Sequence, residues 1–263
     1  MSFQPVIPIG GLAGWAFLNK TRARQEASFI ASPALKNDLD HFRQNFASIT
    51  STDELVKDRR SFRVILSAYG LEDDINSTAF IRKIIDDGVD DRRALSNRLT
   101  DKRYKALSQD MQFLVAGATV AAPDDLRDRV VAQFQTRSFE RAVGEQNQDM
   151  RMAMTLQREL PGLVQGYSSE NARWFAVLGN APLRKAMETA LGLPKEFGAL
   201  DVDQQVVRLK SAVMRRFNVS NLQALSEPET MAKLVKRFLV MAQIKEMQVS
   251  MSPASIALAL LRR

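Results

Sequence analysis

The chain has one histidine, His41, and it is the natural place to look for proton transfer or metal ligation. Either role needs a second group at a suitable spacing: a carboxylate to orient the ring, or further ligands to complete a metal shell. Residues Pro33 to Phe46 place Leu35, Leu39, Phe42 and Phe46 at helical spacing. His41 falls beside that stripe, and its sequence neighbours supply no such set. It reads as a boundary histidine. The run Asp86-Asp87-Gly88-Val89-Asp90-Asp91 suggests a cation loop. With Gly88 at the sixth position of a calcium loop, however, Lys83 and Ile85 occupy places that require carboxylates. The acids instead suit the start of the short helix that follows, with Arg92 and Arg93 as local partners. Gly10-Gly11-Leu12-Ala13-Gly14 lacks the preceding strand and the glycine spacing of a dinucleotide fingerprint. Neither a phosphate-binding loop nor a Gly-x-Ser-x-Gly elbow occurs. Without cysteine there are no disulfides, thiolate metal sites or cysteine nucleophiles. The sequence therefore assigns no catalytic residue, metal or cofactor, and the chain reads as a non-enzyme.

Basic residues offer a different chemistry. Arg215 and Arg216 stand on one expected helix, and Lys233, Lys236 and Arg237 on the next. The net charge is +7, and residues 201–263 hold ten Lys and Arg against five Asp and Glu. A basic end suits nucleic acid, acidic protein partners or anionic lipid, although a solvated helix surface is the better account of so mild an excess. Binding single strands would also call for exposed aromatic side chains to stack on bases. The nearby Phe217 and Phe238 fit core stripes instead, which argues against nucleic acid as the main partner. The candidate partner-binding residues are Trp15, Arg215, Arg216, Lys233, Lys236, Arg237, Leu260 and Leu261, that is, the two apolar ends and the basic pairs. Eleven methionines suit an adaptable apolar surface or core filling.

The elements that would position these groups are legible as helix starts and stops. Ser51 with Glu54 three residues on forms a capping box. Phe62, Ile65, Leu66 and Tyr69 follow at helical spacing, and Gly70 stands where a left-handed terminator belongs. Asn76 or Ser77 starts a helix with Phe80, Ile81, Ile84 and Ile85 on its face, and Gly88 stops it. A short helix carries Leu95 and Leu99. Thr100 caps another, with Tyr104, Leu107, Met111 and Leu114 on one face and Gly117 near its end.

The order returns later in the chain. Leu183, Met187, Ala190 and Leu191 lead into Gly192-Leu193 as the earlier helix leads into Gly70-Leu71. Val206, Leu209, Val213 and Phe217 make the next helix, ending at Asn218. Leu222 and Leu225 mark a short one, and Ser226 caps a helix bearing Met231, Leu234, Val235 and Phe238. The offset is 122 residues (192 minus 70), which reads as an internal duplication. The competing reading is that any two helical runs share caps and leucines.

Residues 1–14 are rich in Pro and Gly and read as irregular. A helix begins at Trp15 and continues to Ile30, and Ser32-Pro33 starts the next. Between the echoing regions, two helices or one bent helix are expected, broken near Gly144 and ended by Leu160-Pro161-Gly162. No stretch alternates as a strand would. The expected fold is all-α, with N-terminal helices over 1–47, a helical repeat over 48–117, a long connecting helix or helix pair over 118–167, a second repeat over 168–241 and a C-terminal helix over 242–263; a single compact body is the alternative to separate repeats. The start lacks a basic n-region, and its apolar run is too short to span a bilayer. A cytoplasmic location is expected, with export by a signal-less route still open. The oligomeric state is not legible.

The run from Phe46 to Leu107, with DELVKDRR, AYGLEDDIN, FIRKIIDDG and LTDKRYKAL, resembles an uncharacterised alphaproteobacterial family found among flagellar genes. The flanks GLAGWAFL and SPASIALALLRR are similar too. Some members of that family carry the label of flagellar basal-body rod protein. The resemblance implies a flagellar role and a basal-body or export component as partner. Axial flagellar proteins combine terminal helices with a β-rich middle, which this chain lacks, so an accessory role fits better than a rod subunit. The expected function is thus a helical interaction protein of flagellar assembly. The alternative is a nucleic-acid-binding regulator using the basic C-terminal third.

Overall fold

The computed structural model describes residues 3–115 and 121–250. Gly117 and the apolar tail with Leu260 and Leu261 lie outside the described residues. Among the described residues there are fourteen α-helices and no strand, as the all-α expectation requires.

Helix α1 (Gly11–Ile30) starts earlier than the Pro and Gly content suggests. Leu18 is fully buried, and the Gly14 N–H already bonds to the Gly10 carbonyl, so helical bonding extends back through the glycines. Helix α2 (Pro33–Asn45) has its proline in the first turn as expected, but the Ser32 hydroxyl makes no capping bond.

The run from Ser51 to Tyr69 is two helices, α3 (Thr52–Lys57) and α4 (Arg59–Tyr69). Ser51 Oγ accepts the Glu54 N–H at 3.3 Å, and the Glu54 carboxylate takes the Thr50 N–H at 2.7 Å, one residue before the cap. Asp58 then interrupts the chain. Its carboxylate accepts the N–H groups of Arg60 and Ser61, each at 3.2 Å, and so starts α4 afresh. At the far end Gly70 has φ 71°, its N–H bonds to Ser67 O, and the Leu71 N–H bonds to Leu66 O, which together form a Schellman closure.

A 3₁₀ turn (Glu72–Asn76) leads to α5 (Thr78–Asp86), α6 (Leu95–Arg98) and α7 (Lys102–Asp110). Asp101 rather than Thr100 caps α7, accepting the Arg103 N–H at 3.0 Å while also holding the Arg103 guanidinium. Helix α7 ends at Asp110, and the buried Met111 leads into a 3₁₀ segment (Gln112–Leu114) that carries the buried Leu114.

Helices α8 (Leu126–Gln146) and α9 (Gln148–Gly166) fill the middle. The break falls at Asn147, whose side-chain oxygen accepts the Met150 N–H at 3.0 Å, so Gly144 stays helical. Helix α9 also runs through Pro161. An interior proline costs about 3 kcal/mol, but Leu160 and Val164 are buried on either side of it, and their packing holds the last turns.

The remainder is α10 (Glu170–Gly179), α11 (Ala181–Leu191), a 3₁₀ turn (Lys195–Ala199), α12 (Val202–Phe217), α13 (Leu222–Ser226) and α14 (Pro228–Ser250). Asn218 ends α12 in the left-handed conformation, with φ 55°. The Ser226 hydroxyl does not cap α14. It donates back to Gln223 O at 2.7 Å, and α14 begins with its proline.

Seven helices follow seven, and part of their packing corresponds, although, among the described residues, the contacts of α9 with α13 and α14 have no comparable counterpart between α2 and α6 or α7. Helix α2 lies on α4 as α9 lies on α11. Helix α3 touches α4 and α5 as α10 touches α11 and α12. Helix α7 meets α4, α5 and α6 as α14 meets α11, α12 and α13. Gly192 repeats the Gly70 closure: φ is 64°, its N–H bonds to Thr189 O and the Leu193 N–H bonds to Glu188 O.

The chain forms two compact units. One comprises Met1–Val6 and Thr21–Val143, with a core built on Phe42, Leu55, Phe62, Ile65, Leu107 and Phe134. The other comprises Ile7–Lys20 and Gly144–Arg263, with Trp174, Leu183, Phe197, Leu234 and Phe238 fully or almost fully buried. Helix α8 therefore contributes to the first unit as far as Val143, and the first ten residues of α1 to the second.

Candidate interaction surface

The ionisable groups that the fold gathers in the first unit are tied to one another and to the backbone. His41 Nε2 lies 2.9 Å from both carboxylate oxygens of Asp58, while the Asn45 amide approaches Nδ1 at 3.4 Å and donates to the His41 carbonyl at 2.8 Å. Asp58 is the partner that the sequence did not reveal, because it lies 17 residues away on the α3–α4 junction. Burial pushes Asp58 up, but hydrogen bonds from Ser61 and His41 more than reverse this and hold it below the usual aspartate value. Both imidazole nitrogens are engaged, so the pair fastens α2 to the junction.

Asp110 joins the Tyr69 hydroxyl and the Arg129 guanidinium, the latter at 2.9 Å. Burial, then the Asp110 carboxylate, pushes the Tyr69 phenol far above its ordinary range. Tyr104 donates to Asp74 at 2.8 Å and is pushed up to about 12 by burial and that carboxylate. Arg103 reaches the Gly70 carbonyl at the negative end of α4.

The acidic run over residues 86–91 is a folded turn. Asp87 accepts the Leu95 N–H at 3.4 Å and pairs with Lys83 at 3.0 Å. Asp91 accepts the Arg93 N–H, and Ser96 and Asn97 donate to the Gly88, Val89 and Asp91 carbonyls. Among the described residues no group of three or more His, Asp or Glu is placed to hold a metal.

The second unit has an open cleft of about 670 Å³ between α9, α11 and α14. Phe238, Ala242 and Met152 supply its apolar lining, and Asp149, Lys185, Lys245 and Glu246 its charges. Burial, then Glu246, raises Asp149 above its usual value, and Lys185 opposes this.

The sequence-derived candidates divide. Trp15 is half-buried in α1. Arg215 and Arg216 are exposed in the last turn of α12, where cations suit the helix dipole. Lys233 is held by Glu229 at 2.6 Å, and Lys236 is exposed. Arg237 is half-buried, and its Nε has no acceptor. Burial, then the nearby Arg216, lowers its pKa. The structure thus brings Arg216 and Arg237 together across α12 and α14. Phe238 is 1% exposed, so it offers no stacking face.

The sequence did not single out the outer side of α12. Val207 is 62% exposed and Met214 48%, on a helix whose Val206, Leu209 and Val213 are buried. Both stand one step beyond the core stripe, and only burial separates them from it. Arg208 and Arg215 are exposed beside them. Helix α10 packs on α12, the Lys210 ammonium bonds to Asn171 Oδ1 at 2.6 Å, and Phe175 on α10 is 42% exposed.

No helix among the described residues is long and apolar enough to cross a membrane. No curated protein matches the chain. Its fold is similar to the crystal structure of protein AGR_C_984 from Agrobacterium tumefaciens, with a TM-score of 0.73 and 24% identity over 92% of this chain and 99% of that one. Residues 68–231, more than half of the chain, match the family described as "Protein of unknown function (DUF1217)", and the chain belongs to that family.

Proposed function

We propose that the chain is a non-enzymatic helical interaction protein of flagellar assembly or the basal body, acting as an assembly factor, export-associated protein or adaptor. The observation that carries the interaction reading is the outer face of α12, where Val207 and Met214 stand exposed on a helix that has already buried a full apolar stripe. An exposed apolar row that the fold does not use is available to a partner. The engaged state of His41, Asp58, Asp110 and Tyr69 favours structural over catalytic work for those groups. The flagellar placement rests on the resemblance of the Phe46–Leu107 motifs to a family found among flagellar genes. The helix order and the partly corresponding packing of the two sets of seven helices favour a duplicated ancestry.

Deleting the gene in its native host, with swimming scored and filaments counted by electron microscopy, tests the placement. Missing or stunted filaments are expected. Normal filaments with normal swimming would overturn it.

One observation favours a second reading, a nucleic-acid-binding regulator: Arg237 Nε is buried without an acceptor close to Arg216. Phosphate binding there predicts duplex affinity that falls linearly in log–log form with salt. The absence of salt-dependent binding to DNA or RNA would remove it.

A further inference from the structure

The exposed arc of α12 flanks its apolar residues mainly with basic side chains. Val207, Ser211 and Met214 follow at i, i+4 and i+7 and so form one row, with Val207 and Met214 about 10 Å apart along the axis. Arg208 and Arg215, also seven residues apart, form a parallel row on one side, and neither makes an ion pair among the described residues. On the other side stands Lys210, anchored to Asn171 of α10. Phe175 lies one turn along α10 from Asn171, on the same side of that helix. Asp203 is the acid on this arc, and it sits in the first turn, where the helix dipole accounts for it.

We propose that this face docks an acidic amphipathic helix of a partner protein, with the partner's apolar seam on Val207, Met214 and Phe175 and its carboxylates against Arg208 and Arg215. The inference rests on the interaction reading above and adds the chemistry of the partner. Charge complementarity selects the occupant. A second copy docked through the same face would set arginine rows against each other. Lipid insertion needs a broad apolar face, whereas this row is narrow and interrupted by Ser211. Nucleic acid would place phosphates over Val207 and Met214, with no polar contact to gain there. Helix-in-groove docking uses a spacing of this kind: apolar anchors one to two turns apart, with charges on the flanks fixing register.

The test uses the full chain and two synthetic helical peptides of about 18 residues, long enough to cover the row. One carries a leucine seam flanked by glutamates, and the other is identical except that each glutamate is lysine. Fluorescence anisotropy should show the glutamate peptide bound and the lysine peptide not. Arg208→Glu with Arg215→Glu should weaken the glutamate peptide at least tenfold and bring the lysine peptide to measurable affinity. Val207→Asp with Met214→Asp should weaken the glutamate peptide to a similar degree. Circular dichroism and thermal unfolding check that the variants remain folded, and the charge reversal is its own control because it gains a ligand. Equal binding of both peptides, no binding of either, or binding indifferent to the arginine reversal would overturn the proposal. Sedimentation showing a wild-type dimer that Val207→Asp dissociates would give the face to a second copy. Binding to anionic vesicles or duplex DNA that the arginine reversal removes, without peptide binding, would give it to those ligands and overturn the proposal too. Normal flagella in the deletion strain would leave a positive peptide result standing and remove only the flagellar placement.

Discussion

Asp58 and Asn180 hold the same post in the two halves of the chain. Each is the single residue between two helices, each stands 122 positions from its counterpart (180 minus 58), and each caps an eleven-residue helix that ends in a left-handed glycine. Asp58 accepts from two amides, and Asn180 from the Leu183 N–H at 3.1 Å. Replacing either by alanine removes the cap of a helix packed on its neighbours, at a cost of about 1 kcal/mol. Asp58→Ala should cost more than Asn180→Ala, because it also leaves His41 without its partner. Urea unfolding followed by circular dichroism measures both, and an equal or reversed order would contradict the assigned role of the His41 contact.

The same carboxylate predicts a pH dependence. The folded pKa of Asp58 lies below its ordinary 3.8, so folding favours the ionised form. Its stabilising effect is therefore fully present above the unfolded value and is lost as pH falls through the folded one. The stability difference between wild type and Asp58→Asn should shrink as pH falls below about 4. A difference that grows as pH falls through that acid window would contradict the sign.

Gly70→Ala and Gly192→Ala should each destabilise by about 1 kcal/mol, since the two positions have φ of 71° and 64°. A Cβ at Gly70 would come within 2.8 Å of the Arg137 guanidinium, and at Gly192 within 3.2 Å of the Met241 methyl. Both obstacles are ends of flexible side chains, so the two costs should be similar. Denaturant midpoints compared at equal m-value check this.

Tyr69→Phe removes a hydroxyl that Asp110 accepts in a nearly buried setting and should cost about 1–2 kcal/mol. Tyr104→Phe should cost less, because Tyr104 is only half-buried and water can replace it at Asp74. Thermal unfolding of the two single variants decides the order.

The helices were largely legible because Gly70, Gly192, Asn218 and the apolar spacings are local signals. The misplaced boundaries share one physical cause: several residues within reach could cap, and tertiary contacts chose among them. Thr100 lost to Asp101, whose carboxylate also holds Arg103. Gly144 stayed helical because Asn147 supplied a better start for α9, and Pro161 stayed helical because Leu160 and Val164 are buried. At the surface, the basic pairs were visible as letters, but nothing local distinguishes Val207 and Met214 from core positions one residue away. The His41–Asp58 pair joins residues 17 apart across a helix junction, which periodicity does not report.

The membership of α1 and α8 bears on the order of events during synthesis. The first unit has all its parts once Val143 has emerged, whereas the second needs residues 7–20, made early, together with those from Gly144 onward. Its earliest piece, with Trp15, Phe17 and Leu18, must wait through more than a hundred residues of elongation before its packing partners exist. During that interval a short segment bearing exposed apolar side chains is available to chaperones or to misdirected contacts.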